Sequence, residues 1–151
     1  MAEQLRILLA DDNAAVLRYV QDLLQEEFKV VGTLREGRLV LQQAPALNPD
    51  LIVLDISMGE PNGFEVARAL RAVGCNSKII FLTVHQEFEF IQAAFDAGAS
   101  GYVFKARLRT DLPAAIDSVL HGKIYIPNEV GDLEGGTSRK KSLRGKARIP
   151  K

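Results

Sequence analysis

The sequence predicts a doubly wound α/β domain: one five-stranded parallel sheet flanked by five helices, followed by a basic C-terminal linker or tail. Three observations carry this. Short apolar runs alternate, five times over, with segments whose apolar residues recur every three to four positions. The runs lack polar alternation, as do strands of a parallel sheet covered by helices on both faces. The pattern stops after Pro127, where a Gly-, Ser- and Lys/Arg-rich stretch begins.

Ile7–Ala10 is the first predicted strand. Val16, Leu17, Val20, Leu23 and Leu24 then share one helical face, with Asn13 as N-cap. The β-branched stretch Lys29–Leu34 is the second strand. Glu36–Leu47 is the second helix, with Leu39, Val40 and Gln43 bracketing its inward stripe and Pro45 and Pro49 ending it. Leu51–Leu54 is the third strand. Gly59, Pro61 and Asn62 form a loop, and Phe64–Val73 a helix. Lys78–Val84 is the fourth strand, Glu87–Ala97 the fourth helix and Gly101–Phe104 the fifth strand. Thr110 caps a last helix running to His121, with Pro113 tolerated in its first turn. Residues 1–127 form the predicted domain and 128–151 the linker or tail.

Charge separates these two parts. The 151 residues carry 19 basic and 19 acidic side chains, yet residues 135–151 hold seven bases and no acid. Residues 1–134 are left with 12 bases against all 19 acids. Net neutrality therefore does not exclude a nucleic-acid contact by the tail, which would be electrostatic and salt-sensitive. Seventeen residues without apolar periodicity cannot build a helix-turn-helix. Cys75 is the only cysteine, so an intrachain disulfide and a Cys-based metal site are excluded. Purely apolar stretches such as Leu51–Leu54 and Ile79–Leu82 are far below the roughly 20 residues a membrane helix needs. The first ten residues do not read as a signal peptide, because the apolar run includes Arg6 and ends in two aspartates. A cytoplasmic location is expected.

In doubly wound sheets ligands sit beyond the carboxyl ends of the strands, near the point where strand order reverses. There the sequence places Asp11-Asp12 after the first strand, Asp55 after the third, Thr83 at the end of the fourth and Lys105 after the fifth. Any one alone has an ordinary reading, as a helix cap or a solvated loop cation. Together they are harder to dismiss. Each pair of close carboxylates repels by on the order of 4 kcal/mol at 4 Å and an effective dielectric near 20. Lys105 offsets part of that, and a hard divalent cation would offset the rest. Oxygen-only ligation favours Mg²⁺ over zinc. A carboxylate beside such a cation can be a nucleophile toward phosphorus, with an ammonium and a hydroxyl neutralising the phosphoryl oxygens.

The set Asp11-Asp12, Asp55, Thr83 and Lys105 resembles the receiver domain of two-component response regulators, the CheY-like (flavodoxin-like) family. Gly63, eight residues after Asp55, and Tyr102, three before Lys105, match the family pattern. The stretches Ala97–Lys105 and Gly122–Pro127 are similar to the NarL/FixJ branch, and the resemblance covers Leu5 to Pro127. It implies that Asp55 is the phospho-acceptor. It implies Mg²⁺ held by Asp12 and Asp55 directly, by Asp11 largely through water, and by the Ser57 backbone carbonyl. Thr83 and Lys105 would each take a phosphoryl oxygen. Movement of Thr83 toward the phosphate would let Tyr102 turn inward and shift the face formed by the fourth helix, fifth strand and fifth helix.

The implied partner is a sensor histidine kinase or phosphotransfer protein. A homodimer stays open, and DNA would be read only by a domain not present in this chain, since that branch usually carries a helix-turn-helix after such a linker. A stand-alone regulator and an unphosphorylated pseudo-receiver are the alternatives. No enzyme activity is expected beyond the domain's own phosphorylation and dephosphorylation.

Departures from the family pattern are few. Gly59 follows Met58 where the family usually has proline, which loosens the loop. Val84 is bulkier than the usual residue after Thr83. His85 reads as an exposed loop histidine, or as a residue that tunes phosphate lifetime. Cys75 reads as an incidental thiol, and His121 as favouring a helix dipole. Glycine-rich phosphate loops and nucleophile-elbow patterns are absent. A haloacid-dehalogenase-type phosphatase would need an Asp where Ser57 stands.

Overall fold

The computed structural model describes residues 4–127; the expected tail, 128–151, lies outside them. Five strands, β1 (Arg6–Ala10), β2 (Lys29–Leu34), β3 (Leu51–Leu54), β4 (Lys78–Thr83) and β5 (Gly101–Phe104), form one sheet in the order β2-β1-β3-β4-β5. Every pairing is parallel. Five helices connect and close it: α1 (Ala14–Leu24), α2 (Gly37–Leu47), α3 (Gly63–Ala72), α4 (Phe88–Asp96) and α5 (Leu108–Leu120). Among the described residues, no helix is long and apolar enough to cross a membrane.

The continuous apolar strands follow from a core on each face. Ile7, Leu9, Leu51, Val53, Ile80, Leu82 and Val103 pack with the buried residues of α1 and α5. Their neighbours Leu8, Ala10, Ile52, Leu54, Ile79, Phe81, Tyr102 and Phe104 pack toward α2, α3 and α4. Successive strand side chains point to opposite faces, so a strand covered twice needs an apolar residue at every position. Full burial of a side chain such as Phe81 contributes roughly 1.5–3 kcal/mol.

Strand ends and the ends of α2, α3 and α4 agree with the sequence to within a residue, and the start of α5 differs more. Asn13 caps α1 as expected, its side chain accepting from the Ala15 and Val16 N–H groups. Asn62 caps α3 in a capping box, with Glu65 reaching back to the Asn62 N–H at 2.8 Å. Pro45 does not end α2. It lies inside the last turn, where its missing N–H removes one bond, while buried Val40 and Ala44 hold the helix down. The helix closes at Asn48, whose φ of +49° is left-handed and whose N–H donates to the Ala44 carbonyl. Thr110 is not the cap of α5. A 3-10 turn over Lys105–Arg107 carries the chain from β5 straight into that helix, so Thr110 falls inside its first turn and Pro113 in its second.

Candidate functional site

Strand register assembles the site. Ala10 lies opposite Leu54, so the next residues, Asp11 and Asp55, emerge side by side at the carboxyl edge. The reversal point of the sheet falls between these two strands. Backbone bonds hold both residues: the Asp55 N–H donates to the Ala10 carbonyl at 2.9 Å, and the Asp11 N–H to the Leu34 carbonyl at 3.0 Å. Asp12 follows, exposed, with its carbonyl fixed by the Arg35 guanidinium at 2.9 and 3.2 Å. One oxygen from each of Asp11, Asp12 and Asp55 lies within 4.8 Å of the others.

Lys105 arrives from the far side of the sheet. Thr83 pairs with Phe104, so Lys105 is the first residue past the pairing. Its ammonium is 2.7 Å from Asp11 Oδ2 and 3.5 Å from Asp55 Oδ2. Asp11 and Asp55 are each 3% exposed. Burial, then the charge of Asp11, pushes the Asp55 carboxyl up to about 6, against the opposing pull of Lys105 and the Ser57 N–H. For Lys105, burial pulls the pKa down, but the contact with Asp11 and the two carboxylate charges outweigh it, and the net shift is upward.

The chemistry of this donor set fits a hard divalent cation. Lys105 contacts Asp11 and Asp55, and Asp12 adds a third carboxylate, so negative charge stays in excess. Asp11 Oδ2 is shielded from water, with the Lys105 ammonium at 2.7 Å as its charged partner.

Thr83 is fully buried, its hydroxyl 3.4 Å from the His85 N–H. Tyr102 is fully buried too. Its ring lies among Phe81 and Phe104, and its hydroxyl donates to the His85 carbonyl at 2.8 Å. The inward position expected to follow a movement of Thr83 is thus already taken up here. Burial, followed by Glu87 and Asp55, pushes the Tyr102 phenol upward, so it stays a donor.

His85 is not the exposed loop histidine the sequence suggested. Its side chain is 27% exposed, its ring stacks on Phe90 at 4.2 Å and 11°, and its Nε2 shares a 2.9 Å hydrogen bond with Ser57 Oγ. Val84, by contrast, is 64% exposed. Gly59 adopts φ +84° in the loop after β3, a conformation suited to glycine. Gly63 has a steric reason. A Cβ there would press on the Asp55 carbonyl, lie 2.8 Å from Ile56 Cα and 2.9 Å from the Phe81 ring.

Two residues around the site escaped the sequence reading. Arg35 gave one signal, a lone cation directly after a predicted strand. Phe90 gave none, because a half-buried aromatic on a helix reads as core.

Comparisons with known proteins agree with this geometry. Residues 7–117 match the family profile described as "Response regulator receiver domain". The transcriptional regulatory protein DesR of Bacillus subtilis is 35% identical over 130 residues, covering 84% of this chain and 64% of that protein. A nitrate/nitrite response regulator protein homolog of Haemophilus influenzae is 30% identical over 135 residues, covering 88% and 65%. The chain thus spans about two thirds of the length of these relatives. A LuxR-family two-component response regulator from an Aurantimonas species superposes with a TM-score of 0.81 at 29% identity, covering 86% of this chain and 94% of that one. The signal receiver domain of the putative response regulator NarL of Mycobacterium tuberculosis gives 0.77 at 27% identity, covering 81% and 100%.

Proposed function

This chain belongs to the receiver-domain family of two-component response regulators, and from that premise we propose that it accepts a phosphoryl group on Asp55 and answers with a changed α4–β5–α5 surface. The observation that carries this is the position of the Lys105 ammonium, between two buried carboxylates at the reversal point of the sheet, with Thr83 ending the strand paired with the one that precedes Lys105.

The reaction is a transfer. An ionised Asp55 oxygen attacks phosphorus, the bond to the donor's nitrogen breaks, and a histidine imidazole on a sensor kinase or phosphotransfer protein leaves. Lys105 would move its charge from Asp55 toward a phosphoryl oxygen, and the Thr83 hydroxyl would donate to another. Asp12, Asp55 and the Ser57 backbone carbonyl would hold Mg²⁺, with Asp11 acting largely through water. The cation would neutralise phosphoryl charge when bound. Asp11 would meanwhile keep Lys105 oriented, and the Arg35 contact would keep Asp12 in place.

Relatives named as transcriptional regulators support a transcriptional output through a further DNA-binding domain, with 128–151 as linker. A homodimer and a cytoplasmic location belong to the same reading, which gives this chain no enzymatic activity toward other substrates. The test is incubation with a small phosphodonor and Mg²⁺, followed by intact mass. One phosphate adduct, lost with Asp55→Ala, is expected. No adduct, or one that survives the substitution, sinks the reading.

A further inference from the structure

His85 touches three parts of the protein at once. Its ring edge meets Ser57 Oγ at 2.9 Å, in the loop two residues past Asp55. Its ring face stacks on Phe90 of α4 at 4.2 Å, nearly parallel at 11°. Its carbonyl accepts the Tyr102 hydroxyl of β5 at 2.8 Å. Phe90 in turn lies 6.1 Å from Phe64 of α3, and Phe64 packs edge-on to Phe81 at 5.6 Å. The rings of His85, Phe90, Phe64 and Phe81 thus join the loop after β4 to α4, α3 and β4, and the Ser57 hydrogen bond ties this set to the acceptor loop.

We infer that the His85 side chain is a positioning residue that mechanically couples the acceptor loop to α4, through the Ser57–His85–Phe90 bridge. The inference rests on the receiver reading above and adds a second route beside Thr83 and Tyr102. A phosphoryl group on Asp55 must displace or reorient groups within the loop that carries Ser57. Because the imidazole is planar and fixed at both edge and face, a shift of Ser57 Oγ turns the ring and moves the surface on which Phe90 rests. A flexible or apolar side chain at position 85 could fill the space but would not transmit a turn. Coupling of this kind requires one element with two arrangements that both ends bias, and the bridge is the element proposed for that role.

The experiment is hydrogen exchange of the full chain, with and without a small phosphodonor plus Mg²⁺, read over Phe88–Asp96, with intact mass taken on the same samples. In the wild type, phosphorylation should change α4 exchange at least threefold. His85→Leu, which fills the space without the hydrogen bond, should take up phosphate yet lose more than half of that change. Phe90→Leu, which breaks the stack at the other end, should do the same, and so should His85→Gln, which keeps an amide near the Nε2 position but is flexible and has no ring to stack. A full α4 response in both leucine variants overturns the coupling alone. A phosphorylated wild type whose α4 does not respond also overturns it. An unphosphorylated wild type overturns the receiver reading as well, and the mass measurement separates these cases.

Discussion

The Lys105 ammonium lies closer to Asp11 than to Asp55, 2.7 Å against 3.5 Å. The lysine is therefore anchored by one carboxylate and only shared with the other. Asp11 keeps it in place, and the longer contact is the one that can yield to a phosphoryl oxygen.

Replacing Lys105 with methionine keeps the stem and removes the charge. Asp11 and Asp55 then repel each other uncompensated, and Asp55 loses the largest of the influences holding its pKa down. In the absence of divalent cation at pH 7.5 the variant should be less stable by about 3–5 kcal/mol, the usual cost of removing one partner of a buried ion pair. Part of that loss should return at pH 5, where Asp55 takes up a proton. Phosphorylation should slow without stopping, and α4 should no longer respond to it. Thermal melts at the two pH values, with mass spectrometry for the adduct, check all three points; equal melting of variant and wild type at pH 7.5 would count against the ion pair.

Asp55 itself predicts a pH dependence. Its folded pKa, about 6, lies above the ordinary 3.8 because burial and Asp11 disfavour the charged form. The native state thus holds a proton that the unfolded chain has already released between about pH 3.8 and 6. Stability from this group is full below that window, is lost as pH rises through it, and stays lost above. The shift corresponds to about 3 kcal/mol. Asp55→Asn removes the slope. Without metal at pH 7.5 it should melt several degrees above the wild type, roughly 4–8 °C for about 2 kcal/mol in a domain this size. At pH 4 the two should coincide. Mg²⁺ should raise the wild-type midpoint by mass action and leave the variant nearly unmoved. A variant that melts with or below the wild type at pH 7.5 rules out a destabilising charge at Asp55.

Much of this architecture was legible in the sequence because each strand is covered on both faces, which forces runs such as Leu51–Leu54 and Ile79–Leu82 to be apolar throughout. The site was legible for a related reason: in a parallel sheet, residues that follow strands share one edge, so Asp11, Asp55 and Lys105 could be placed together without knowing strand order. The roles of two residues at helix ends were less so. Pro45 carries a stop signal that burial of Val40 and Ala44 overrides, and Thr110 resembles a cap that the 3-10 turn at Lys105–Arg107 makes unnecessary. The surroundings of His85 were not legible. Its partners come from different elements, Ser57 from the loop after β3 and Phe90 from the first turn of α4, and nothing local to either residue announces the meeting.

Asp12 is the exposed member of the acidic cluster, so its removal should cost function and not fold. Asp12→Ala is expected to weaken Mg²⁺ binding tenfold or more by titration calorimetry while leaving the melting point within about 1 °C, as surface substitutions usually do. Arg35→Ala acts one step back, through the Asp12 carbonyl, and should weaken binding by a smaller factor. Supporting contacts around metal ligands typically carry about 10–100-fold, and this one holds backbone at an exposed position, so the low end is expected. Unchanged affinity in Asp12→Ala would remove it from the ligand set.

Gly63 gives the sharpest steric prediction. It is the first residue of α3, its N–H donates to the Ile56 carbonyl at 2.8 Å, and the helix start therefore sits directly on the strand end that carries Asp55. An alanine methyl would meet backbone on one side and the rigid Phe81 ring on the other, so no flexible side chain is available to give way. The helix or the strand end must move. Overpacking of this kind costs roughly 1–3 kcal/mol. The displacement falls on Asp55, so Gly63→Ala should lower both the melting point and the rate of adduct formation. Gly59→Ala, strained by its φ of +84° but with open space around the added methyl, should lower stability by only about 1 kcal/mol and leave the acceptor in place. Comparing the two variants in the same melts and mass assays separates close packing against the acceptor from backbone strain in its loop. Equal phosphorylation rates in Gly63→Ala and wild type would show that α3 does not set the position of Asp55.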